Sequence, residues 1–190
     1  MWSLLDTIGA GVIGASIIFM VLSLNMQMNT VSIQISEHNM IQSSYTTTMD
    51  ILSYDLHKMG YRANGEIVMV ADSAKLKYCV DLGDNGFVDT VLYTASTTEE
   101  DSIGNAIYLR RVVNNGEEKN IGIVSEFNLS YFDSLGNTIN YLDLAMASNR
   151  ARIRTIEVLM ELTVEEEDTT GYKDVNWRVR VQPKNLLTRM

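Results

Sequence analysis

The side chains that could do covalent or acid–base chemistry are few. The sequence holds one cysteine, Cys79, and two histidines, His38 and His57. A nucleophilic thiol needs a base within hydrogen-bond reach. Both histidines fall in what reads as one long N-terminal helix, far from Cys79 in sequence, so no Cys–His pair is expected. A lone cysteine forms no intrachain disulfide, and Cys79 is expected to be buried as a small apolar residue. No zinc-ligand spacing, P-loop, Gly-x-Ser-x-Gly or dinucleotide fingerprint occurs. Carboxylate pairs are abundant, but none sits in a recognisable pocket context. The chain is therefore not expected to be an enzyme or to carry a cofactor.

One cluster could bind a cation. Asp84, Asn85 and Asp89, with Asp81 nearby, make a loop rich in oxygen atoms. The pattern lacks the twelve-residue spacing and terminal Glu of an EF-hand, so it is a weak calcium candidate. A hairpin turn through Gly83-Asp84-Asn85-Gly86 uses the same residues for backbone reasons and is the preferred reading. Two acidic stretches, 97–101 (TTEED) and 165–171 (EEEDTTG), read as solvated loops. The net charge of -9 argues against a nucleic-acid surface and against a polybasic membrane patch. Apolar residues at 46% and charged residues at 21% fit a folded chain.

These residues need elements to position them, and the first element is the clearest. From Thr7 to Ser36 no side chain is charged, and Ile8–Leu24 is apolar apart from two serines. That approaches the ~20 residues that span a hydrocarbon core. No Lys or Arg precedes the run and no small-x-small pattern closes it, so it reads as an anchor rather than a secretory signal. The first basic residue is Lys58, so loop charge sets no orientation. Ala10 with Gly14, and Gly11 with Ala15, are small-xxx-small pairs that let membrane helices approach closely, and Gly9 adds to this run. Asp6 stands at the edge of the run. It reads either as the partner of an α-amino group or as a first-turn carboxylate favoured by the helix dipole.

No Gly or Pro interrupts the chain from Ala15 to Met59. Ile41, Tyr45, Met49, Leu52, Leu56 and Met59 recur at helical spacing, and Gly60 follows a basic last turn as a C-cap. This stripe is expected to lie on a globular domain rather than in a coiled coil. Beyond Gly60 the period becomes two. Strands are expected at Ile67–Ala71, Leu76–Val80, Phe87–Tyr93, Ala106–Val113, Phe127–Tyr131, Ile156–Val164 and Val175–Val181. The second and third read as a hairpin. If the last two pair, Glu157 and Glu161 are expected to lie opposite Arg178 and Arg180. The expected fold class is α+β, a long N-terminal transmembrane and amphipathic helix packed on an antiparallel β-sheet domain. The expected divisions are 1–30 for the apolar helix, 31–60 for its amphipathic continuation and 61–190 for a β-rich extracytoplasmic domain.

This order of elements resembles the type IV pilin-like superfamily. Trp2-Ser3-Leu4-Leu5-Asp6 is similar to the mature pilin start, with Asp6 in the place of the family's acidic residue. Asp55-Leu56-His57-Lys58-Met59-Gly60-Tyr61 resembles the helix end of the minor-pilin W and pseudopilin J group. Tyr78–Tyr93 around its turn, Leu129–Asp133 before Gly136, and the closing strand into Pro183-Lys184-Asn185-Leu186 are similar too. In order these cover most of the chain. It departs from the pattern in having no basic leader ending in glycine before Trp2 and no proline in the apolar segment.

The resemblance implies a structural subunit of a filament or pseudopilus. It would be held in the inner membrane before assembly and then sit at the cell surface or in the periplasm. It would pack through its N-terminal helix on copies of itself or other pilin-like subunits, with Asp6 neutralising a neighbour's α-amino group. The competing expectation is a solitary single-pass membrane-anchored adhesin or sensor ectodomain.

Overall fold

In the computed structural model, residues 2–96, 107–165 and 172–187 are described. The chain divides into two compact units, Met1–Ser44 and Tyr45–Met190. Helix α1 (Trp2–Lys58) is 57 residues long and enters both. The acidic stretch 97–101 lies outside the described residues, as does 166–171; Glu165 closes a strand.

In the second unit α1 ends where the sequence places the cap. Gly60 takes the left-handed φ of 76°, which costs glycine little. A Cβ at this position would also lie 2.8 Å from Ile67 Cδ1. The Gly60 amide donates to the Cys79 carbonyl at 2.9 Å, so a sheet residue accepts from the end of the helix.

Among the described residues eight strands follow. The first five are β1 (Val68–Ala71), β2 (Lys75–Val80), β3 (Asp89–Ala95), β4 (Ile107–Val113) and β5 (Lys119–Val124); the last three are β6 (Glu126–Phe132), β7 (Thr155–Glu165) and β8 (Tyr172–Val181). All pairings are antiparallel, and they make two sheets, β1-β2-β3-β4-β5 and β6-β7-β8. The sheets are joined where the Leu129 amide donates to Ser73 O at 2.8 Å and the Tyr131 hydroxyl to Asp72 O at 2.9 Å. Between β6 and β7 lie a 3-10 turn (Asp143–Ala145) and a short α2 (Ala147–Arg150). Arg150 holds them by donating to Leu144 O, Ala145 O, Val68 O and Glu66. A last turn, α3 (Lys184–Leu187), follows Pro183.

The core follows the expected period-two pattern. Leu76, Tyr78 and Val80 on β2, Val91 and Tyr93 on β3, and Ile156, Val158 and Met160 on β7 are all buried. Cys79 is the exception to expectation. It is half-buried, because the same alternation that buries Tyr78 and Val80 turns it to the other face of β2. Phe87 was expected to start a strand. It is 75% exposed, and β3 begins at Asp89 because the turn before it is longer.

Strand β5 has no counterpart among the expected strands. Its Gly122 sits where an added Cβ would run into the Thr48 side chain of α1. A glycine at a close-packed position erases the alternation that marks a strand.

The Tyr172–Val181 strand pairs with Thr155–Glu165 as expected, but only one of the two expected charge pairs forms. Register places Arg180 opposite Glu157, with Nε 2.5 Å from Oε2, but sets Asn176 opposite Glu161 and Leu159 opposite Arg178.

The helix face that packs here carries Tyr45, Leu52 and Leu56, with Met59 just past its end, all buried as the stripe implied. Met49 is half-buried, and the Ile41 side chain lies outside the description. Two polar residues share that face, Thr48 and Asp55, and both are buried. The Thr48 hydroxyl donates to Ile121 O. The Asp55 Oδ2 accepts from the Tyr93 hydroxyl at 2.6 Å and from Arg111 Nε at 2.7 Å. Further up, the Tyr45 hydroxyl donates to Met160 O at 2.8 Å.

Removing one member of a buried charged pair strands the other, at a typical cost of about 3 kcal/mol or more. Arg111→Leu is expected to lower the unfolding free energy by roughly that amount, and Tyr93→Phe by about 1–3 kcal/mol. The buried Tyr78 hydroxyl has no hydrogen-bond partner among the described residues. Tyr78→Phe is therefore expected to leave stability unchanged or raise it. Chemical denaturation of the three variants checks the contrast. A loss at Tyr78→Phe equal to that at Tyr93→Phe would contradict it.

Candidate assembly helix and acidic turn

The first unit is helical throughout its described length. One segment of α1, Ser3–Ser36, is long and apolar enough to cross a membrane by length and composition, with a mean hydropathy of 2.2 over its most apolar window. None of that window is buried by the chain itself. Leu4, Leu5, Ile8, Val12, Ile13, Ile17, Phe19 and Leu22 are each more than half exposed. A stripe of this kind on a water-soluble helix would occupy one face. Here apolar side chains surround the helix, which suits lipid or a bundle of helices.

Three hydroxyls in this segment bond back within the helix. The Thr7 hydroxyl donates to Ser3 O at 2.8 Å, Ser16 to Val12 O at 2.8 Å and Thr30 to Met26 O at 3.1 Å. Each bond reaches four residues back, so these hydroxyls need no water. The sequence carries the signal, a Ser or Thr within an uninterrupted helix.

Asp6 is exposed and lies past the first turn, since α1 begins at Trp2 and that turn holds no acidic residue. Gly9, Gly11 and Gly14 each have open space where a Cβ would stand. At about 100° per residue, Ala10, Gly11, Gly14 and Ala15 share one side of the helix, while Gly9 turns well away from them. The small-residue face is therefore a four-residue patch without Gly9.

The acidic turn is held together by hydrogen bonds. Asp81, fully buried, is its hub. Its Oδ1 accepts from the Asn85 amide at 3.1 Å, and its Oδ2 accepts from the Gly86 amide at 2.9 Å and from Arg62 Nη1 at 3.4 Å. Asp84 takes the left-handed φ of 55° and pairs with Arg62 at 2.7 Å, while the Tyr61 hydroxyl donates to it at 3.1 Å. The Asn85 side-chain oxygen accepts from the Phe87 amide at 2.9 Å. Asp89 accepts from the Leu82 amide at 3.1 Å and from Asn114 Nδ2 at 2.6 Å. Asp84 Oδ1, the Asn85 side-chain oxygen and both Asp89 oxygens thus accept from backbone and side-chain donors. Among the described residues, no group of three or more His, Cys, Asp or Glu side chains is placed to hold a metal. The arrangement performs the turn chemistry of Asp, Asn and Gly.

Burial pushes the Asp81 carboxyl up, but the Gly86 and Asn85 amides and the Arg62 guanidinium outweigh it and hold it below the ordinary range. The unfolded carboxyl titrates at about 3.9, so near that pH the unfolded chain binds the extra proton. Stability from this group is therefore complete above the unfolded value and is lost as pH falls through the lowered folded one. Asp81→Asn is expected to flatten the acid side of the stability–pH curve below about pH 4. Thermal melts of both proteins from neutral pH downward measure this, and parallel curves would refute the assignment.

Comparison of the chain with models of protein families, with characterised proteins and with solved structures finds no match.

Proposed function

We propose that this chain is a structural subunit of a type IV pilus-like filament or pseudopilus. In this reading it is anchored in the membrane by the first part of α1, carries its β-rich unit on the extracytoplasmic side and assembles through the same helix. One observation carries the reading. Ser3–Ser36 is a continuous apolar helix, unburied by its own chain, in the same element whose last turns enter the folded unit. An anchor alone needs ~20 apolar residues and no particular order of side chains. Here small residues lie together at Ala10, Gly11, Gly14 and Ala15, and one carboxylate stands at the threshold.

Asp6 has a defined role in this reading. A carboxylate within an apolar bundle costs about 3 kcal/mol or more unless it is paired. The α-amino group of a neighbouring subunit is a cation of the right size and place, and pairing removes two costly ions together. The sheet unit would then face the periplasm or the cell surface, and no catalytic role is assigned to it.

The test is negative-stain microscopy of native material from cells that make the wild type, Asp6→Ala or Ile13→Asn. Filaments or short regular complexes are expected from the wild type. Both variants are expected to lose them while the sheet unit keeps its melting temperature. Monomeric particles from the wild type, or assembly unchanged in both variants, would instead favour the solitary anchored ectodomain.

A further inference from the structure

Two open sheets have four edge strands, and the chain engages three of these edges itself. At β1, Arg150 Nε donates to Val68 O at 3.0 Å. At β5, the Thr48 hydroxyl donates to Ile121 O. At β6, the Leu129 amide donates to Ser73 O and the Ile139 amide to Tyr131 O, both at 2.8 Å. The fourth edge belongs to β8, which among the described residues pairs with β7 alone.

The ladder fixes which groups of β8 face outward. In an antiparallel sheet, successive residues direct their amide and carbonyl to opposite sides of the strand. Leu129 and Tyr131 use theirs away from β7, so Asn128 and Ser130 bond Leu159 and Glu157 across the register. Val158 and Met160 then bond Val179 and Trp177, and the amides and carbonyls of Asn176, Arg178 and Arg180 point outward. No other strand or loop among the described residues bonds them through its backbone. Lone edges are commonly blunted by shortness, a bulge or proline. β8 is ten residues long, its register with β7 has no bulge, and it contains no proline.

The side chains of β8 describe the strand that fits beside it. Trp177 and Val179 lie opposite Met160 and Val158. Those two β7 residues are fully buried, whereas Trp177 and Val179 are half-buried at the open flank. An apolar side chain beside each completes that layer. On the other face Arg180 is already engaged, with Nε 2.5 Å from Glu157 Oε2 and its guanidinium 4.4 Å from the Phe132 ring centroid. Arg178 is exposed, lies opposite Leu159 and has no carboxylate partner among the described residues. The matching strand therefore alternates apolar and acidic residues. β7 has this pattern at Glu157, Val158, Met160 and Glu161, but both its edges are paired, so a folded second copy does not offer it.

We infer that the outer edge of β8 is a docking site for an extended segment of a partner protein. The segment adds as a further antiparallel strand, with apolar residues beside Trp177 and Val179 and a carboxylate beside Arg178. Main-chain hydrogen bonds to Asn176, Arg178 and Arg180 hold it, and the alternation of its side chains selects it. The inference needs neither the membrane helix nor a filament, so it and the filament reading can fail separately.

The test uses the full chain in detergent and a short fluorescein-labelled peptide that alternates Val and Glu. Fluorescence anisotropy is expected to show saturable binding, roughly ten-fold tighter than for the peptide that alternates Val and Lys. The Glu residues sit across from the outward groups of β8, so N-methylation of their amides is expected to abolish binding. N-methylation of the Val amides, which point away, is expected to leave it within about three-fold. Arg178→Pro removes an outward amide and keeps the β7 ladder. It is expected to lose the peptide while keeping its melting temperature. Arg178→Glu, which leaves the backbone intact, is expected to reverse the preference toward the Lys peptide. No binding of the Val/Glu peptide, equal binding of the two N-methylated forms, or a preference unchanged in Arg178→Glu would overturn the inference. Self-association of the chain without peptide that Arg178→Pro abolishes would assign the edge to a second copy and overturn it too.

Discussion

Asp55 is a carboxylate on the face of a helix that otherwise buries Tyr45, Leu52 and Leu56. Its burial is tolerable because a tyrosine hydroxyl from β3 and a guanidinium from β4 both donate to it. Apolar contacts alone would allow the helix to slide or turn by part of a residue step with little change in area. A carboxylate with two directional donors does not. Asp55 therefore fixes both the rotation and the height of the last turns of α1 against the first sheet. Thr48 over Gly122 completes this at β5, where the missing side chain admits the helix. The remaining packing of the second unit is arranged around that placement.

The first unit answers to a different solvent rule. The hydroxyls of Thr7, Ser16 and Thr30 bond within the helix, it carries no charge from Thr7 to Ser36, and its own chain covers none of its most apolar window. A backbone fully bonded along a helix is one of the two forms that survive in hydrocarbon. The same helix thus meets two requirements in sequence, satisfaction from within over its first part and satisfaction by partners over its last turns. Polar residues mark the difference. Ser16 turns back on its own helix, whereas Thr48 and Asp55 reach across to strands.

What the sequence made legible follows from this division. The long helix, its cap at Gly60, the β2–β3 hairpin and the strong alternation of β7 and β8 all announce themselves by period and turn residues. Strand β5 does not, because the residue that must be small to receive Thr48 is also the residue whose absence of side chain breaks the pattern. The arrangement into two sheets is equally hidden, since period reports that a strand has a buried face but not which strands share it. No periodicity marks Asp55 or Thr48 as buried, and only partners 38 to 73 positions away give them their places. In the acidic turn the organising residue was hidden. Its Asp, Asn and Gly residues read as a turn, but Asp81, named only as a neighbour, is the residue that organises it. In the apolar helix, composition located the segment and its small residues, but which of them share a side depends on the helical turn, and Gly9 falls outside.

The contacts that bind α1 to the strands also have an order along the chain. Gly60 meets Cys79, 19 positions on. Asp55 meets Tyr93 and then Arg111, 38 and 56 positions away, Thr48 meets Ile121 at 73, and Tyr45 meets Met160 at 115. Moving up the helix from its end, each contact closes a larger loop than the one before. Each doubling of loop length adds only about 0.6 kcal/mol of closure entropy. A chain that docks in this order, as each strand joins the sheet, meets the 115-residue closure only after the shorter ones have formed. The helix can thus zip onto its domain from Gly60 toward Tyr45 in the order in which the strands are synthesised, with its apolar end the last part of the problem rather than the first.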